Sequence, residues 1–573
     1  MIKAKLDPVN PNANLKDYAG ACASFTWEEA EKDFSWHRTG KCNIAHEAVG
    51  RRAGDPAWRE RTALIFDKGG DTRPFTYAQL EETSARWADL LARQGLRRGD
   101  VFFIHLPPCP EMAFAMLACA RLGVVFCPLY ASLGYDELDV RIRDATPKGI
   151  LTLPDLAEKI PTEGLISSAT LFFPEGPSPG CFRNELVISE HLSTSTSGRE
   201  PEWVSRQTPL YLLYTSGSAE PPKGVVHTHG DMVGHLMTAR WVLDLAEGSV
   251  LWTDADPAWV TGTVYGVFAP WLCGAASVMQ GNPFSAASWY QTLERHRVEV
   301  WYTSPMTLRK LMEEGDDLPT RYDFSALRHI CAVGEALGPE MFYWVKENMK
   351  RSPHDTWWMN ETGIICLAQF PSLPLKPGSM GKPIPGVHAA VIDEEGNLLP
   401  MLTPGQLALR PPWPGMMLEI LGDRERYGEY FRMEGWFLTG DMVLQDEEGY
   451  FYHQGRMDDL FKVGEKVIGP YEIERALRQH PAVLDAAVIS MGGGSRAPRL
   501  KAFIRPAAGF SPSNRLKHEI KAFLLGQLSR DLPLRDVAFL EELPRTKSGK
   551  LLRRVLRAME LGLPAGDPAR MKE

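Results

Sequence analysis

Residues 75–130 read FTYAQLEETSARWADLLARQGLRRGDVFFIHLPPCPEMAFAMLACARLGVVFCPLY. Within TYAQLEETSARWADLLARQG the apolar residues recur at helical spacing and Gly95 supplies a stop, so a helix is expected. DVFFIHLP is a short unbroken apolar run, as in a strand covered on both faces of a parallel sheet. PEMAFAMLACARLG returns to helix and closes on Gly123, and VVFCPLY is a second buried strand. Helices alternating with short apolar strands predict α/β units around largely parallel sheet. The alternation recurs around VEVWYTSP and LRHICAVGE.

From about Gly381 the texture changes. GVHAAVIDEEGNLLP, GQLALRPPWPG and GWFLTGDMVLQDEEGYFYHQGR are short strands joined by Gly-containing turns, which predicts an antiparallel β subdomain over about 381–456. After GRMDD, helix (PYEIERALRQH), strand (AVLDAAVIS), strand (RLKAFIRP) and helix (LKHEIKAFLLGQL) follow, as in a small α+β domain. With 573 residues the chain is too long for one core. The expected organisation is an α/β fold. A large N-terminal domain (1–456) of parallel α/β subdomains plus the β subdomain precedes a hinge (457–459) and a small mobile α+β C-terminal domain (460–573).

The composition, 44% hydrophobic and 24% charged, is that of a soluble globular chain. No apolar run of about 18 residues occurs, so no membrane association is expected. The N-terminal stretch lacks an apolar signal core, so a cytoplasmic location is expected. The nine cysteines are scattered with no C-x-x-C pair, which argues against a disulfide framework or a zinc site. The net charge of −9 hides an asymmetry: residues 460–573 carry 21 Lys and Arg against 12 Asp and Glu. Those basic residues are dispersed among apolar ones in an acidic chain. They suit small phosphorylated ligands, and no nucleic-acid partner is expected.

Four stretches carry chemistry. Tyr214–Gly230, YTSGSAEPPKGVVHTHG, places Thr215, Ser216, Gly217 and Ser218 ahead of Lys223. Small residues let backbone N–H groups approach phosphate, and a lysine adds charge. It is not a Walker loop, since the lysine lies too far on. Asp355–Gly363, DTWWMNETG, pairs Trp357, able to stack on a flat base, with Trp358, able to wall a second pocket, and Glu361 could ligate Mg²⁺ through oxygen. Asp441 in TGDM and Arg456 in QGRMDD suit a ribose diol. Lys550, in PRTKSGKLLRR, sits where an exposed lysine can swing into a site. Each stretch alone also fits a structural role: a polar loop, core tryptophans, hairpin turns, a solvated basic run.

Taken together and in order, they resemble the adenylate-forming superfamily of acyl-CoA synthetases, luciferases and peptide-synthetase adenylation domains. Over nearly the whole chain the likeness is to its acetate-activating, AMP-forming branch. FSWH, DPAWVTGTVYGVFAPWLCGA, VGEALGPE, HDTWWMNETG, LKPGSMGKPIPGV, QGRMDD and RTKSGKLLRRVLRA carry it. The resemblance implies ATP, Mg²⁺ and CoA as cofactors and acetate, with propionate tolerated, as the acid. Acetyl-AMP forms first, and CoA thiol then displaces AMP. It implies that Trp357 stacks on adenine opposite Gly334, Glu335 and Ala336, with Asp355, Thr356 and Asn360 beside the nucleotide. Thr215, Ser216, Gly217, Ser218 and Lys223 would face the phosphates, Asp441 and Arg456 the ribose and phosphate, and Glu361 Mg²⁺. Lys550 would bridge carboxylate and α-phosphate, and Asp458 would be the pivot. Val260, Thr261, Val333 and Trp358 would line the acyl pocket. Lysine acetylation at Lys550, a control found in relatives, would remove its charge.

The departures cluster at the nucleotide. Ala219 and Glu220 stand where the family has Thr and Gly, Asn360 where it has Thr, and Ala336 where it has Pro. Lys466 or Val467 replaces a phosphate-binding Arg. Two readings follow: a working acetate–CoA ligase, or an adenylation-impaired paralogue that binds AMP or acyl-CoA or serves as a regulatory partner.

Overall fold

The computed structural model describes residues 7–161, 169–176, 179–180, 182–192, 198–215, 222–459, 461–463, 466–491, 499–528, 532–546 and 551–562. The opening stretch folds as its pattern requires. Tyr77–Arg93 is a helix, closed at its N-terminus by a capping box. Gln79 N–H donates to Thr76 Oγ1 (3.2 Å), and Thr76 N–H to Gln79 Oε1 (2.8 Å). Val101–Leu106 and Val125–Tyr130 are parallel strands in register from Val101↔Val125 to Leu106↔Tyr130. Between them Pro110–Leu122 is a helix buried on nearly every face, which is why its sequence is apolar all round. It stops at Gly123, whose φ of 66° costs a glycine little.

Those strands belong to an eight-stranded sheet. From Val125–Tyr130 outward through Glu185–Val187 it is parallel, and Lys223–Thr228 and Glu419–Ile420 add antiparallel edges. A nine-stranded sheet has a parallel centre: Ala276–Gln280, Val250–Thr253, Val300–Thr303, His329–Ala332 and Pro353–Trp357. Helices cover both sheets, and one large buried core runs through both.

His388–Ile392, Gly405–Arg410, Phe437–Gln445 and Phe451–Arg456 form an antiparallel sheet. Two short strands within the same stretch leave it: Lys382–Pro383 extends the nine-stranded sheet and Glu419–Ile420 the eight-stranded one. Met457–Asp459 is a single 3₁₀ turn. Beyond it, Val483–Met491, Arg499–Pro506 and Leu534–Phe539 make a three-stranded sheet with its own buried core, packed by helices Pro470–Leu477 and Asn514–Gln527. Asp459 receives Arg553 (3.1 Å) and Arg557 (3.2 Å) from the helix Arg553–Leu561, which ties the turn to the small domain.

Candidate active site

A cleft of about 2040 Å³ opens where the large and small domains meet. Its floor is made by segments at the carboxyl ends of parallel strands, the usual place for ligands in open α/β sheets. Thr215 ends Pro209–Thr215, Val333 and Gly334 follow His329–Ala332, and Trp357 ends Pro353–Trp357. Val260 and Thr261 open a short helix on the same wall. Thr215, Lys223, Val260, Thr261, Val333, Gly334, Glu335, Ala336, Asp355, Thr356, Trp357, Trp358, Asn360, Glu361, Asp441 and Arg456 therefore all line one cleft.

The two tryptophans turn to different partners. Trp357 Nε1 donates to Asp441 Oδ2 (2.8 Å), and Trp358 Nε1 donates to Tyr302 OH (3.0 Å). Asp441 also receives Arg456 Nη1 at 3.1 Å, with His453 at 3.6 Å. Burial by itself would raise the Asp441 carboxyl; Arg456, His453 and the indole N–H outweigh it and hold it below the usual range. A buried, ionised acceptor thus stands beside the indole.

Glu361 is the second such carboxylate. Its Oε1 is paired with Lys223 Nζ and accepts from Tyr430 OH (2.9 Å). Lys223 Nζ also donates to the Tyr430 hydroxyl and lies 4.8 Å from the centre of its ring. Burial opposes ionisation of Glu361, yet the lysine and the tyrosine hydroxyl bring it down to about 2. Burial and the neighbouring Glu361 raise Tyr430, so its hydroxyl keeps the proton it donates. Asp355 behaves oppositely. With only the N–H groups of Leu337 (3.3 Å) and Thr356 (3.0 Å) to offset burial, it is pushed up to about 8.

Asn360 is fixed by Nδ2 donating to Leu213 O (3.1 Å), and its own carbonyl accepts from His227 Nε2 (2.8 Å). Among the described residues Thr215 Oγ1, Thr261 Oγ1 and Asn360 Oδ1 are buried without a hydrogen-bond partner, although all three residues face the cleft. Unsatisfied buried polar atoms cost stability, so their clustering here points to ligand contacts. No group of three or more His, Cys, Asp and Glu among the described residues could hold a metal ion by itself. A Mg²⁺ carried by phosphates needs only one or two carboxylates. Glu361, ionised at neutral pH on the cleft wall, fits that demand.

Ser216, Gly217, Ser218, Ala219, Glu220 and Lys550 lie outside the described residues. Lys466 opens a short strand that pairs with Phe461–Val463, and Asp458 sits in the 3₁₀ turn. Several groups at the site escaped the sequence reading. Tyr430 is 69 residues from the Glu361 it contacts, and no local spacing marks it. Arg545 spans the domains, donating to Glu335 Oε2 (3.1 Å) on the large domain and to Asp485 Oδ2 (2.7 Å) on the small one. Arg309 adds a longer contact to Glu335 (3.4 Å).

A family model described as AMP-binding enzyme matches residues 52–421, and one described as AMP-binding enzyme C-terminal domain matches residues 472–550. An acetyl-coenzyme A synthetase of Bacillus subtilis is 41% identical over 569 residues, covering 99% of each chain. One of Methanothrix thermoacetophila is 34% identical over 567 residues, covering 93% of this chain and 85% of its own. Among solved structures, a Brucella canis acyl-CoA synthetase superposes with a TM-score of 0.73 at 27% identity, covering 95% of this chain and 99% of its own. An anthranilate CoA ligase in complex with anthranoyl-AMP superposes with a TM-score of 0.81 at 25% identity, covering 91% and 98%.

Proposed function

This chain belongs to the AMP-binding enzyme family, and from that premise we infer that it is an AMP-forming acid–thiol ligase that converts acetate, ATP and CoA to acetyl-CoA, AMP and pyrophosphate. In the first step a carboxylate oxygen of acetate attacks the α-phosphorus of ATP. The bond to pyrophosphate breaks, and acetyl-AMP forms. In the second step the CoA sulfur, having lost its proton, attacks the acetyl carbonyl carbon, and AMP leaves with the electron pair of the acyl–oxygen bond. Little of this is covalent chemistry for the protein. It must hold the groups in line and neutralise charge on the phosphates.

The observation that carries this reading is one cleft holding two differently built carboxylates. Asp441, fixed by Trp357 and Arg456, suits a ribose diol beside an indole that stacks on adenine. Glu361, ionised through Lys223 and Tyr430, suits the phosphate end. Glu361 would hold magnesium there together with the phosphates, and the ion would supply positive charge. Lys223 would contribute charge at the same end, with Thr215, Ser216, Gly217 and Ser218 offering backbone and hydroxyl donors. Gly334, Glu335 and Ala336 would flank adenine opposite Trp357, with Asp355, Thr356 and Asn360 beside the nucleotide. Val260, Thr261, Val333 and Trp358 would enclose the acetate methyl, leaving room for propionate at most.

The domains proposed are 1–456 and 460–573, with Asp458 in the hinge. Lys550 would bridge acetate and α-phosphate in the first step and withdraw as the small domain turns. Lys466 would then approach the phosphate. Acetylation of Lys550 would stop the first step and spare the second. The deciding experiment is acetate-dependent ATP–pyrophosphate exchange with the purified protein. Exchange that requires acetate and Mg²⁺ is expected. Its absence, with AMP and CoA still bound, would overturn the reading.

A further inference from the structure

The wall assigned to the acyl end of the cleft is held from behind. Trp358 is buried, and its indole N–H has one hydrogen-bond partner among the described residues, the hydroxyl of Tyr302 at 3.0 Å. An indole N–H can only donate, so the Tyr302 oxygen accepts. The Tyr302 proton then goes to Thr356 Oγ1 at 2.8 Å, whose own proton goes to Ala332 O at 2.8 Å. All donors in this relay run one way, from the cleft wall into the parallel sheet. Tyr302 and Thr356 lie on strands Val300–Thr303 and Pro353–Trp357, with the His329–Ala332 strand between them.

A second aromatic closes the other side. Tyr265 meets Trp358 edge-on, with ring centroids 5.1 Å apart at 89°, and meets Tyr302 at 5.6 Å and 77°. Tyr265 is itself fixed, its hydroxyl bonded to Thr238 Oγ1 (2.8 Å) and accepting from Ile365 N–H (3.1 Å). Tyr302 and Tyr265 are fully buried, and neither lines the cleft. Tyr302 touches the cleft lining at two residues, Trp358 at the end of the acyl pocket and Thr356 beside the nucleotide, and only Trp358 is on the acyl wall.

We propose that Tyr302 is a specificity-determining positioning residue: by accepting the Trp358 N–H it locks the indole in the orientation that shortens the acyl pocket. The proposal rests on the reading of Trp358 as the end wall of that pocket. Without the hydroxyl, the indole keeps its bulk but loses the bond that selects one rotamer, and space opens for an added methylene. A single methylene in an apolar pocket is worth roughly 10–200-fold in discrimination. A wall that yields part of the time surrenders a fraction of that.

The test compares kcat/KM for acetate, propionate and butyrate in four proteins: wild type, Tyr302→Phe, Trp358→Phe, and both together, with Trp358→Gly as a control on the wall. Tyr302→Phe is expected to raise the propionate-to-acetate ratio about fivefold or more, against the roughly 10–200-fold value of a methylene, with a modest fall in thermal midpoint from the indole N–H left unpaired. In the Trp358→Phe background there is no N–H to hold, so adding Tyr302→Phe is expected to leave the ratio unchanged. Residues acting through one bond give such non-additivity, and general loosening does not. If Trp358→Gly shifts the ratio and Tyr302→Phe does not, this proposal fails and the pocket assignment stands. If Tyr302→Phe shifts the ratio equally in both backgrounds, the indole bond is not the cause and the proposal fails. If Trp358→Gly itself leaves the ratio unchanged, the pocket assignment fails, and the proposal with it.

Discussion

Replacing Lys223 by methionine tests the electrostatic core of the cleft. Met keeps much of the stem that packs on the Tyr430 ring and deletes the charge paired with Glu361. In the native protein Glu361 lies at about 2 against an ordinary value of 4.5. At about 1.4 kcal/mol per unit, that displacement amounts to about 3 kcal/mol at neutral pH. Because the folded value is depressed, this stability is fully present above about pH 4.5 and lost as the pH falls toward 2. In Lys223→Met burial is opposed only by the weaker backbone N–H and Tyr430 hydroxyl bonds, so the carboxyl rises above its unfolded value. It then destabilises the fold at neutral pH and is relieved by protonation. Breaking one partner of a buried pair costs about 3–5 kcal/mol, and removing both charges costs far less. The expected result in urea unfolding is a loss of about 3–5 kcal/mol at pH 7 to 8 that narrows below about pH 5. The double variant Lys223→Met with Glu361→Gln should recover most of it. A deficit that is the same at every pH, or a double variant worse than the sum of the two single losses, would refute the argument.

Asp441→Asn keeps the shape and removes the charge that Arg456 and Trp357 hold in place. The Michaelis constant for ATP is expected to rise about 10–100-fold, as for loss of a buried charge-assisted bond of about 1.5–3 kcal/mol; an unchanged constant would exclude Asp441 from the ribose site. Arg545→Ala removes the guanidinium that joins Glu335 of the large domain to Asp485 of the small one. Pyrophosphate exchange and thioester formation from supplied acetyl-AMP should change by different factors, and equal changes would deny the bridge a part in domain orientation. Ala219→Thr with Glu220→Gly removes a carboxylate that the family resemblance would set beside the phosphates, where like charges about 4–6 Å apart would repel by up to about 3–4 kcal/mol before screening. Exchange should rise about tenfold or more, and an unaltered rate would clear the loop of limiting the first step.

Much of the molecule was legible in the chain itself. Residues 75–130 dictated their own helices and strands because local periodicity and glycine stops settle which face is buried. Of the groups that line the cleft, Thr215, Lys223, Trp357, Trp358, Glu361, Asp441 and Arg456 stood out in short stretches of the chain, whereas Val260, Thr261, Val333, Gly334, Glu335 and Ala336 were picked out only by the family resemblance. The two tryptophans at 357 and 358 were expected to face different ways, and they do. Contacts that set charge and orientation were not legible. Nothing in RERYGEYF marks Tyr430 as the partner of Glu361 and Lys223, and nothing in VWYTSP marks Tyr302 as the support of Trp358. The β stretch from 381 also sent two short strands to the edges of the parallel sheets, because an open edge accepts any segment that reaches it with unpaired backbone groups. Helix, strand and motif are decided by neighbours a few residues away. The pKa of a buried carboxylate and the rotamer of a wall residue depend on whichever charges and hydroxyls the completed fold brings within about 3 Å, and for Trp358 and Glu361 those come from strands and turns 56 to 138 residues distant.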